Sequence, residues 1–174
     1  ICLQVTAPAQ AAGHGERGGV MNELAKLSAI PAMLAEANSV AEVKNIINIA
    51  EAARTYAKKA KLNLEVQNNA AEASLRSQRR AGELLAQLER DQGARNDTCS
   101  QPDKKLSEYK ETLDDTGTTY QQAHRWQTIA AVPDDVFEKH VAEVRADAAE
   151  LTSSGVLRVS QQVKREHRVE AMKE

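Results

Sequence analysis

The sequence predicts an all-α protein, and three observations carry that prediction. Aromatic residues make up 3% of the chain, as one Trp, one Phe and three Tyr. Alanine is abundant, and Glu, Lys, Arg, Gln and Leu supply much of the rest; all are strong helix formers. Val, Ile and aromatic residues nowhere form a period-2 run long enough for a sheet. A core of Ala, Val and Leu buries little area per residue, which suits long helices packed closely side by side. The spacing predicts a long antiparallel helical hairpin, joined by a flexible linker to a compact helical domain with a helix-turn-helix-like core.

Residues 1–20 read as translated leader or a disordered segment. Ile1 is not Met, the stretch is rich in Ala, Gly and Gln, and Met21 opens a more regular pattern. The tail of a signal peptide is the rival reading, from Ala7-Pro8-Ala9, but the apolar stretch from Ile1 to Val5 is short for one. Residues 21–90 form the expected hairpin domain. Leu24, Leu27, Ile30 and Leu34 give a loose helical stripe interrupted by Pro31. Ser39-Val40-Ala41-Glu42 is a capping box that starts a helix running to about Lys61. Val43, Ile46, Ile47, Ala50, Ala53, Ala57 and Ala60 are its expected buried face. A break at Leu62-Asn63 leads to a second helix, from about Leu64 to Arg90. Its stripe is Val66, Ala70, Ala73, Ser77, Leu84 and Leu88, widened by Ala81 and Leu85. Gly82 inside a helix costs about 1 kcal/mol relative to Ala, so it marks a close approach.

Residues 91–105 lose all apolar periodicity and read as a flexible linker. The second domain, residues 106–168, opens with a helix carrying Leu106, Tyr109 and Leu113 on one side. Gly117 supplies the left-handed turn that ends it. Either Thr118 with Gln121 or Thr119 with Gln122 caps the next helix, which buries Ala123, Trp126, Ile129 and Ala130. Pro133 starts a helix with Asp134 and Asp135 in its first turn. Its inner face is Val136, Phe137, His140, Val141, Val144 and Ala148. Ser153 or Ser154 caps a last helix, with Val156, Leu157, Ser160 and Val163 inward and Arg158, Lys164, Arg165 and Arg168 outward or on its flanks. Residues 169–174 are a tail.

Bulk properties narrow the function. Net charge is −2, from 23 basic and 25 acidic residues, which argues against a binder that is basic throughout and leaves room for a local basic face. No run of 18 apolar residues suggests a membrane helix. Cys2 and Cys99 fall in irregular segments, which favours a reduced, cytoplasmic setting. No His sits three or four residues from another His or Cys, and no phosphate loop or catalytic signature is found. The expectation is a non-enzymatic protein with no cofactor, metal, small-molecule substrate or membrane partner.

The segment LDDTGTTYQQAHRWQTIAAVP, from Leu113 to Pro133, carries the functional reading. A helix, a turn opening at Gly117 and a second helix stand at helix-turn-helix spacing, with Ala123 and Trp126 at the inward positions. Thr116, Thr118 and the bulk of Leu113 depart from that pattern. The second helix presents Thr119, Tyr120, Gln121, His124 and Arg125. Arg and Gln can make bidentate contacts to guanine and adenine, and Thr and Tyr can bind phosphate. Arg76, Arg79 and Arg80 form a second candidate basic patch; pairing of Glu72 with Arg76 and Arg79 with Glu83 would account for it without a ligand. DNA is the expected partner, with a homodimer through the hairpin. The competing expectation is a protein-only adaptor that uses the Arg76–Arg80 face or the Ala-rich hairpin.

SLRSQRRAGELLAQLER followed by LDDTGTTYQQAHRWQTIAAVPDDVFEKHV resembles a group of small helical proteins of bacteriophages, prophages and other bacterial mobile elements, mostly without assigned activity. The likeness runs from roughly Asn38 to Arg168. It rests on the RRAGELL helix from Arg79 to Leu85, the glycine turn, the Arg125-Trp126 pair and the Pro-acidic helix start. Some members look like the DNA-binding parts of ParB-like partition proteins or accompany DNA methyltransferases. The resemblance implies a mobile-element DNA transaction and carries over to Gly117, Arg125 and Trp126. This chain has Ala123-His124 where relatives show Ser ahead of the Arg-Trp pair, and Thr118 where they show a bulky aliphatic residue.

Overall fold

The computed structural model describes residues 27–88 and 107–172. The leader, the linker, the two cysteines, His14 and Leu106 lie outside those residues. The described residues form seven helices and no strand, so the protein is all-α. In chain order they are α1 (27–36), α2 (Val40–Lys59), α3 (Leu64–Gln87), α4 (Glu108–Thr116), α5 (Tyr120–Ala130), α6 (Asp134–Ala146) and α7 (Ser153–Ala171). No described helix is long and apolar enough to cross a membrane.

Local chemistry sets the helix ends. α1 continues through Pro31; the amide that proline lacks would have bonded one turn back, to the carbonyl of Leu27. α2 begins at the capping box. The Ser39 hydroxyl accepts from the Glu42 amide, and the Glu42 carboxylate accepts from the amides of Asn38 and Ser39. The Asn38 and Ser39 amides hold the Glu42 carboxyl below its ordinary range. α2 ends at Lys59, one residue short of the last alanine of its expected stripe. Ala60, expected in the buried face, is the exposed C-cap, and Lys61 takes a left-handed φ of 51°. Asn63 then caps α3 by accepting from the Val66 amide. Thr152, rather than Ser153 or Ser154, caps α7. α7 also continues to Ala171, into the segment expected to be tail. Ala148, expected on the inner face of α6, lies exposed beyond the helix end with φ 49°.

α2 and α3 pack on each other, and α3 also packs on α5 and α6. The larger difference from the sequence reading lies in α3. Its expected stripe accounts for Ala70, Ser77, Ala81 and Leu85, but Ala71, Ser74, Leu75, Gln78 and Gly82 are buried as well. They form a second stripe, so α3 is covered on two sides. Val66, Ala73, Leu84 and Leu88 are only half-buried.

Two apolar clusters result, and each draws on both halves of the chain. The first combines Val43, Ile46, Ile47, Ala50, Ala81 and Leu85 with Tyr109, Leu113, Ala123 and Trp126. The second sets Ala71 and Leu75 of α3 among Ile129, Val132, Phe137, Val141, Leu151 and Val156. Gly82 makes the α3–α5 approach possible. A Cβ there would sit 2.2 Å from the Trp126 carbonyl oxygen and 2.8 Å from the Gln127 nitrogen. Polar ties reinforce the join. Buried Asn68 donates to the Ala149 carbonyl and accepts from the Leu151 amide, both at 2.9 Å. Arg54 and Lys58 of α2 pair with Glu150 in the same loop, and their hydrogen bonds, Lys58 first, hold the Glu150 carboxyl below its ordinary range.

Candidate nucleic-acid interface

α4, the turn and α5 place the candidate residues. Ser107 caps α4, and Gly117 ends it in the left-handed conformation, φ 58° and ψ 36°. Thr119 is the N-cap of α5. Its hydroxyl accepts from the Gln122 amide at 3.2 Å, and the Gln122 side-chain oxygen accepts from the Thr119 amide at 3.1 Å. Of the two possible capping boxes, the structure therefore forms the Thr119–Gln122 one.

The departures of this corner from an apolar helix-turn-helix have a structural cause. Thr116 and Thr118 hydroxyls are 2.8 Å apart, and Thr118 is buried. The Lys44 ammonium, arriving from α2, donates to the Thr116 carbonyl and to the Thr118 hydroxyl. A polar knot with one cationic donor thus occupies the space that aliphatic side chains would otherwise fill. Lys44 is a positioning residue that the sequence reading did not single out, because its partners lie on a distant stretch of chain.

On α5, Ala123, Trp126 and Ile129 are buried. Thr119, Tyr120, Gln121, His124 and Arg125 are all exposed. From Tyr120 to Arg125 they cover about 140° of the helix circumference at 100° per residue, facing away from the core. Tyr120 is 59% exposed, and its ring lies 6.3 Å from that of buried Tyr109, which limits where it can swing. Arg125 makes no ion pair among the described residues. The structure therefore brings Tyr120, Gln121, His124 and Arg125 onto one surface, with Thr119 exposed as the N-cap that precedes them. The neighbouring surface of α4 has the opposite sign, with Glu108, Glu111, Asp114 and Asp115 exposed.

The second basic group lies elsewhere and is engaged. Arg76 is held between Glu72 at 2.8 Å and Glu138 at 2.7 Å. Arg79, whose side chain is 13% exposed, donates to the Val132 carbonyl at 2.7 Å and pairs with Asp134 at 2.6 Å. Its guanidinium lies over the Phe137 ring, 5.2 Å from the centroid. Arg80 pairs with Glu83 at 3.3 Å. Within-helix pairing was the expected explanation without a ligand; the ties from Arg76 and Arg79 to α6 go further and fasten α3 to the second half of the chain.

Among the described residues no group of three or more His, Cys, Asp or Glu could hold a metal ion. The chain matches no family model, no curated protein and no solved structure.

Proposed function

We propose that this chain is a non-enzymatic DNA-binding protein of a bacteriophage or mobile element, and that α5 reads duplex sequence. The observation that carries the reading is the surface of α5. Thr119, Tyr120, Gln121, His124 and Arg125 stand exposed together on a helix fixed at its start by a capping box and along its length by Trp126. Arg54, Arg76, Arg79, Arg80 and Arg145 are all committed to carboxylates, whereas Arg125, like the arginines of α7, makes no ion pair among the described residues. In this reading Arg125 and Gln121 contact base edges, and Thr119 and Tyr120 position the helix on phosphates. The mobile-element setting rests on the resemblance of the RRAGELL and Arg-Trp segments. A dimer, as paired half-sites would require, would form through outer faces, because the apolar faces of α2 and α3 are buried.

The protein-only adaptor has less support. Its proposed contact surfaces, the Arg76–Arg80 face and the alanine stripes, are largely occupied by internal pairs and packing. Fluorescence anisotropy of labelled duplexes from the gene's own neighbourhood tests the choice. The expected result is one preferred fragment, with Arg125→Ala lowering its affinity by about 1–3 kcal/mol, the usual worth of a bidentate base contact, at unchanged helical circular dichroism. Equal binding by Arg125→Ala would reject α5 as the reader.

A further inference from the structure

An α5 reader needs phosphate contacts, and its nearest neighbour in the chain does not supply them: α4 exposes four carboxylates and, with them, Lys110. The largest group of exposed cations without an ion pair among the described residues lies on α7. This helix packs on α5 and α6 through its first half, where Val156 and Ser160 are buried. Beyond Ser160 only Val163 is partly covered, and the helix continues to Ala171.

Charge is segregated around this helix. Val159, Gln162, Val163 and Glu166 face α6 across a groove of about 260 Å³ that also holds His140, Glu143 and Lys139, the last paired with Glu143. At about 100° per residue, Arg158, Lys164, Arg165 and Arg168 share roughly a third of the circumference, on the side away from that groove. All four are exposed, and none makes an ion pair or hydrogen bond among the described residues. Gln161 lies within the same arc and is also exposed. From Arg158 to Arg168 the face is about 15 Å long, enough to meet several successive phosphates of a duplex. Val169 and Met172, the exposed apolar residues at the same end, are too few to seat the helix in a bilayer, where binding scales with buried apolar area.

We infer that α7 is the phosphate-backbone clamp of this protein, with Arg158, Lys164, Arg165 and Arg168 holding duplex DNA while α5 reads it. The inference rests on the DNA reading of α5 and separates the two tasks: α7 supplies affinity without sequence information, and α5 supplies preference.

The test uses the full chain with all four residues changed to Gln, and a labelled duplex of arbitrary sequence titrated across a salt series. Each phosphate contact contributes about 0.9 to the slope of log affinity against log salt, so the variant's slope should fall by about 3 to 4. Preference between fragments should persist. If the fourfold variant loses helicity, the Arg158/Arg165 and Lys164/Arg168 pairs, changed separately, should each remove about half of that slope. An unchanged slope would overturn the clamp and leave α5 standing. Loss of slope with no effect of Arg125→Ala would keep the clamp and reject α5 as reader. No duplex binding by the unaltered chain would reject both, as would binding to anionic vesicles alone.

Discussion

At the residue scale, single positions decide how the helices of this fold meet. Gly82 is the clearest case, since the backbone of α5 occupies the volume that any side chain there would need. The sequence marks this position, because a mid-helix glycine is otherwise a loss. It cannot name the partner, which lies on another helix and contributes backbone rather than a recognisable side chain. Gly82→Ala gains about 1 kcal/mol in helix propensity. It must also push α3 and α5 apart, and overpacking of this kind costs about 1–3 kcal/mol, occasionally more. With a backbone atom at 2.2 Å the steric cost should win. Urea unfolding is expected to give a net loss of about 1–2 kcal/mol; an equal or higher midpoint would show that the helices yield freely. Thr118 teaches a related lesson. Its polarity looks like a flaw in a helix-turn-helix until Lys44 is placed beside it, and no local pattern connects the two.

Helix existence was largely legible at the element scale, and helix environment was not. The Ser39 capping box and the Gly117 turn are written in adjacent residues, so their positions could be read directly, whereas the cap of α5 stays open in the sequence between Thr118 with Gln121 and Thr119 with Gln122. The second face of α3 is hard to see because Ala71, Ser74 and Gln78 resemble solvent-facing residues in composition; Leu75 is the apolar signal on that face that the single stripe leaves out. Asn68 is similarly inconspicuous until the loop between α6 and α7 is seen to take both ends of its amide. The arginines of α3 also depend on their setting. Arg79 is mostly buried, donates to the Val132 carbonyl and lies over Phe137, whereas Arg80 has one partly exposed partner on its own helix. Arg79→Met should therefore cost about 2 kcal/mol, as for a buried acceptor that loses a charged donor. Arg80→Met should cost less than about 0.5 kcal/mol, as for an exposed pair. Equal losses in chemical unfolding would mean that the α3–α6 tie has no special weight.

Considered as a whole molecule, the described helices share their cores. The sequence points to two packing units because its apolar periodicity stops between Asp91 and Lys105, yet Trp126 joins the α2–α3 cluster and Leu75 joins the one around Phe137. Contacts of that kind link residues far apart in sequence, and periodicity reports only which face is apolar, not what covers it. Unfolding should accordingly be a single cooperative transition, with Trp126 fluorescence and helical circular dichroism giving coincident curves. Two separated transitions would show that the halves are stable independently. The candidate surface follows from the same packing: α5 rests on α3 and α7, and the face carrying Tyr120, Gln121, His124 and Arg125 is left exposed.

Selection from a random pool of DNA duplexes, carried out in parallel with the unaltered chain and with Arg125→Ala, tests the central claim most directly. The account predicts that the unaltered chain enriches one motif and that the variant relaxes it at particular positions, specifically where the guanidinium would meet a base. Enrichment of no motif by the unaltered chain, or of the same motif equally by both, would contradict α5 as a reader of sequence.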